Sequence, residues 1–134
     1  MLFALDADWW ERYGAEAAGI FAGARVSTHR QTAKGVYRER LQYPNNSGAA
    51  ALALAVHWGA SRVVLLGYDC QLTGGQAHWH GDHPEGLGNA GQVRKWPAQF
   101  RELVPRLGNA QVINATRETA LACFPRMNLE DALA

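Results

Sequence analysis

The chain has 134 residues, 48% hydrophobic and 19% charged, which suits one globular α/β domain over residues 1–134. Thirteen basic residues against twelve acidic ones give a formal charge of +1, so there is no general pull toward nucleic acid or an anionic membrane. Two cysteines, Cys70 and Cys123, exclude a disulfide framework and a paired CxxC zinc site, and suit reduced thiols in the cytoplasm. The longest apolar run, Ala49 to Val56, is far short of the ~18 residues of a membrane span. The start, Met1 to Asp6, lacks the basic region of a signal peptide.

In chain order, Leu2 to Leu5 read as a short buried strand. Asp8-Trp9-Trp10-Glu11 has the spacing of a capping box for a helix that Gly14 is expected to interrupt. Arg25 to Thr28 read as a second strand. Residues 29–46 are polar and irregular, with an edge strand over Val36 to Leu41. A connection that long inside a compact domain is usually functional. Asn45-Asn46-Ser47-Gly48 opens the clearest helix, Ala49 to Trp58, which is apolar almost all round and stopped by Gly59. Arg62 to Gly67 is the clearest strand. Val63 to Leu66 are apolar on both faces, so they are expected to be the most buried strand, between parallel neighbours.

Residues 68–91 form a loop rich in glycine and histidine. A helix from Trp96-Pro97 carries Trp96, Phe100, Leu103, Val104 and Leu107 on one stripe, and Pro105 ends or kinks it. Gln111 to Asn114 is the last strand. Thr116 is expected to cap a short helix through Ala122, and a final turn covers Leu129 to Leu133. Strands alternating with helices predict a Rossmann-like three-layer sandwich on a small, mainly parallel sheet of about four strands. Right-handed crossovers bring the C-terminal strand ends to one edge, where open α/β sheets bind ligands. Asp6, Thr28, Asp69 and Asn114 sit at or just past strand ends and are candidate ligand-binding residues by position; the alternative is that they only terminate strands.

Two motifs carry more chemistry. Asn46, Ser47 and Gly48 stand where a helix N-terminus offers its amides to a phosphate or carboxylate, or where Asn46 or Ser47 only caps the helix. His78-Trp79-His80-Gly81-Asp82-His83 puts three imidazoles and a carboxylate within six residues. Histidine exchanges protons near neutral pH, and HxH is also a spacing for zinc, but no cysteine or HExxH helix completes a recognised metal site. The third alternative is a solvated loop. Lys34, Arg38 and Arg40, interleaved with Tyr37 and Tyr43, make a small basic patch that reads as a solvated edge strand. No Gly-x-Ser-x-Gly elbow is present.

Asn46-Ser47-Gly48, the Ala-rich helix ending at Gly59, and Arg62 to Gly67 followed by Tyr68-Asp69 resemble two families. These are the bacterial lipooligosaccharide sialyltransferases and the 6-hydroxymethylpterin pyrophosphokinase-like proteins. With the His-Trp-x-Gly-Asp-His-Pro element, the chain also resembles small phage and prophage proteins. The resemblance covers residues 45–133. It implies that Ser47 and Gly48 contact a sugar-nucleotide donor and that a loop histidine, His83 first and His80 second, acts as base. Both families begin with an extra βα unit, whereas this chain starts at what looks like their second strand, Phe3 to Asp6. The expected function is binding of a nucleotide or sugar nucleotide, or a reduced, sialyltransferase-like glycosyltransferase of phage origin. The alternative is a phage-derived module that binds a nucleotide, nucleic acid or protein without turnover. No cofactor, no metal and no membrane partner is expected, and no nucleic-acid partner on the leading reading.

Overall fold

The computed structural model describes residues 1–29, 34–78 and 80–134. These form a mixed α/β chain with two small parallel sheets, of three and two strands, and four α-helices. Contacts gather them into two compact units, one of Met1–Gln42 with Pro84–Leu87, the other of Tyr43–His83 with Gly88–Ala134. Among the described residues no helix is long and apolar enough to cross a membrane.

In the first unit, β1 (Leu2–Phe3), β2 (Arg25–Ser27) and β3 (Tyr37–Arg38) pair in parallel in that order. The register sets Phe3 and Tyr37 on either side of Val26. Lying between two neighbours, β2 buries Val26 and Ser27 completely. Helix α1 (Ala7–Ile20) has Asp6 at its N-cap position, without a side-chain capping hydrogen bond, and Asp8 in its first turn, where a carboxylate suits the helix dipole. The expected capping box from Asp8 does not form, because Asp8 lies inside the helix, two residues past the N-cap position. Nor does Gly14 interrupt the helix. Trp10 and Ala17, seven residues apart on one face, are both buried, and a mid-helix glycine costs only ~1 kcal/mol. The Trp10 indole Nε1 donates to the Ala4 carbonyl at 2.9 Å, and the Ser27 hydroxyl to the Leu5 carbonyl at 3.2 Å.

In the second unit, α2 (Ser47–His57) buries Ala49, Ala50, Leu52, Ala53 and Leu54, and Gly59 stops it at φ +92°. Strands β4 (Arg62–Leu65) and β5 (Gln111–Asn114) pair in parallel, Val63 with Val112 and Val64 with Ile113. Between them in sequence, α3 (Trp96–Leu103) has Pro97 in its first turn and tightens to a 3₁₀ turn over Val104–Arg106 at Pro105. The last helix is α4 (Leu129–Leu133); its Ala132 packs on Ile113 and Ala115.

Two expectations are corrected here. Among the described residues β4 has one ladder partner, and Leu66 just past it is 53% exposed. The buried strand is β5, because a second segment runs along its other side. Asn114 N–H donates to the Pro125 carbonyl, and Met127 N–H to the Asn114 carbonyl. The short helix over Thr116–Ala122 is also absent; that stretch is irregular. Asn114 explains it. Its Oδ1 accepts from Thr116 N–H at 3.0 Å, and its Nδ2 donates to the Leu121 carbonyl at 3.1 Å and to Thr119 Oγ1 at 3.4 Å. Side-chain bonds to local backbone compete with helix formation.

Candidate functional site

Parallel strands deliver their C-terminal ends to the same edge, and in the second unit that edge is an open cleft. Gly67, at φ +72°, turns the chain away from β4. The loops after β4 and β5 are then laced together. Thr116 Oγ1 accepts from Tyr68 N–H at 3.0 Å, Thr119 Oγ1 donates to the Tyr68 carbonyl at 2.7 Å, and Ala120 N–H donates to the Asp69 carbonyl at 2.8 Å. The cleft bounded by these loops has a volume of about 1170 Å³, with Gly67, Asp69, Thr116, Arg117, Glu118 and Arg126 on its walls. The Arg126 guanidinium donates to the carbonyls of Thr116 and Arg117, which fixes that wall and keeps a cation beside it. Asp69 Oδ2 accepts from Thr73 Oγ1 at 2.9 Å. Thr73 and Gln76 exchange backbone hydrogen bonds across Gly74 and Gly75, both at positive φ as a tight two-residue hairpin needs.

Of the residues chosen from strand ends, Asp69 lines this cleft. Asn114 does not. It is fully buried and holds the loop from beneath. Asp6 stands at the N-cap position of α1 in the first unit and is exposed, and Thr28 there is buried. At the start of α2, Asn46 Oδ1 accepts from Ala49 N–H at 3.0 Å, while its amide donates to Gln99 Oε1 at 3.2 Å. Ser47 is exposed. Gly48 lies against Tyr68: a Cβ there would stand 2.9 Å from Tyr68 Cε1 and 3.3 Å from Phe100 Cζ. The close approach that glycine permits is thus made by an aromatic ring of the protein itself.

The histidine loop brings its three imidazoles together. Trp79 lies outside the described residues, as do residues 30–33 of the polar connection. Gly81 N–H donates back to the His78 carbonyl, with Gly81 at φ +86°, and His83 N–H donates to Asn89 Oδ1 at 2.8 Å. Ring centroids are 4.4 Å apart for His78 and His83, 5.1 Å for His80 and His83, and 5.2 Å for His78 and His80. His78 and His83 are half-buried and His80 is exposed. Burial, then the neighbouring His83 and His80, hold the His78 pKa below the ordinary imidazole value, with Asp82 pulling the other way.

No family model, no curated protein and no solved structure matches this chain. Function is read from its own residues. Thr116, Arg117 and Arg126 are the cleft residues that sequence reasoning missed. Reading 116–122 as a helix hid Thr116 and Arg117, and Arg126 lay beyond that stretch; the signal was a threonine and a cation shortly after the last strand.

Proposed function

We propose that this chain binds a nucleotide or sugar nucleotide in the cleft at the ends of β4 and β5, using the ligand edge of a Rossmann-like fold. The observation that carries the reading is the convergence of two parallel strand ends on one open cleft walled by both cations and carboxylates. A sugar nucleotide needs both. Its diphosphate suits the guanidiniums of Arg117 and Arg126. Its ribose and sugar hydroxyls donate to carboxylates such as Asp69 and Glu118. Gly67 leaves the backbone open to close approach. Two free cysteines agree with a reducing, cytoplasmic setting. Turnover is not part of the proposal, because His80 and His83, the bases of a transferase reading, are drawn toward His78 and each other.

Thermal-shift screening against nucleoside mono- and diphosphates and their sugar conjugates tests this. A ligand that binds only the folded state raises the melting temperature by mass action. At least one such ligand is expected to stabilise the chain at millimolar concentration, with nucleoside and free sugar alone ineffective. A panel with no stabilising member would overturn the reading.

A further inference from the structure

We propose that His78, His80 and His83 form a binding site for one divalent first-row transition metal, with zinc the leading candidate. This stands independently of the cleft reading. A ligand nitrogen from each imidazole lies within 4.8 Å of those from the other two. Zinc–imidazole bonds of about 2.0–2.1 Å put tetrahedral ligand nitrogens roughly 3.3 Å apart. Closing the remaining gap asks for side-chain rotation, not a change of fold. The backbone already supplies the convergence. The turn from His78 to Gly81 folds the loop back, and the Asn89 side chain anchors His83.

Hydrogen bonding leaves one ring nitrogen of His78 unaccounted for. The His78 Nε2 is shielded from solvent and has no hydrogen-bond partner among the described residues. A buried ring nitrogen without a partner is costly, and a metal ion satisfies it directly. The His78 and His80 rings lie stacked, which holds them together, and a cation coordinated by the neutral rings would satisfy the unpartnered nitrogen. Asp82, near enough to His78 to act on it electrostatically, adds negative charge beside the site. The ligand set is borderline in softness and all nitrogen, which favours Zn²⁺, Co²⁺, Ni²⁺ or Cu²⁺ over Mg²⁺ or Ca²⁺. Three protein ligands leave a fourth position for water or an anion, and His80 is exposed to solvent.

The test is calorimetric titration of the full chain, stripped with chelator, with Zn²⁺ alone and with Mg²⁺ alone. One Zn²⁺ per chain is expected, with no Mg²⁺ binding. His78→Ala and His83→Ala should each weaken Zn²⁺ at least ~10-fold, since even residues behind a metal's ligands are worth that much. His57→Ala, at the exposed end of α2, should leave the affinity as it is. Imidazole nitrogen NMR on the unaltered chain gives the same answer if a variant does not fold. Zn²⁺ should shift three of the five histidines and spare His29 and His57. Absence of stoichiometric Zn²⁺ binding, or binding that shifts His29 or His57 instead, would overturn the proposal.

Discussion

At Gly48 a single methyl group would meet two aromatic side chains that are already in contact. Tyr68 and Phe100 pack edge to face with centroids 5.7 Å apart, and Phe100 in turn meets Phe124 at 6.3 Å. Tyr68 therefore has little room to withdraw. Overpacking of this kind costs about 1–3 kcal/mol, so Gly48→Ala should lower the urea midpoint by that equivalent with an unchanged slope. The sequence offered Gly48 as part of a ligand-binding helix start, whereas here it makes room for the Tyr68 ring. The sequence could not say what approaches, because Tyr68 is twenty residues away. Cys70 makes a second residue-scale prediction. Burial, with Cys123 and Asp69 adding to it, pushes its thiol up to about 11 from an ordinary value of 9.0. The folded state thus holds a proton that the unfolded chain releases first. The stability this contributes is complete below pH ~9 and is lost as pH rises toward ~11. Urea titrations at stepped alkaline pH should show that decline, and Cys70→Ala should flatten it. The raised phenol of Tyr68 adds to the same slope, so the flattening is partial.

Among the elements, the loop after β5 depends on one buried amide. Asn114→Ala would strand the amide of Thr116 and the carbonyl of Leu121, both in a part of the chain closed to water. Each buried group left unsatisfied costs about 1–3 kcal/mol, so a loss of ~2–6 kcal/mol is expected, read by chemical denaturation. Asn114→Asp should recover part of it, because Oδ1 can still accept from Thr116. The helices were the legible elements. α2, α3 and α4 follow local signals: a cap residue, a proline in the first turn, an apolar stripe. The Thr116–Ala122 loop was not legible, since a buried asparagine reaching forward to Leu121 has no local signature. Gly14 misled for the converse reason. Its local cost is small beside the burial of Trp10 and Ala17 on the same face.

For the molecule as a whole, four of the five strands of the described residues fall where apolar runs predicted, the fifth (β3) lies within the expected edge strand of the polar connection, and all pair in parallel. Their grouping into a three-stranded and a two-stranded sheet was not legible in strands of two to four residues. Such short runs carry hydrophobicity but no pairing code. β4, the more apolar strand, is the less buried one because Pro125 to Met127 cover β5, a contact invisible to any local window. The near-neutral charge was legible, and so was the strand-end position of Asp69, which lines the cleft. The central claim is that this strand-end cleft binds a nucleotide or sugar nucleotide. Amide chemical-shift mapping by NMR tests it most directly, with the best stabilising ligand titrated into the chain. The account predicts the largest shifts at Gly67, Asp69, Thr116 and Arg117, and about tenfold or weaker binding in Arg117→Ala, the scale of a lost charge-assisted hydrogen bond. Saturable shifts confined to other residues, with Arg117→Ala binding unchanged, would contradict it.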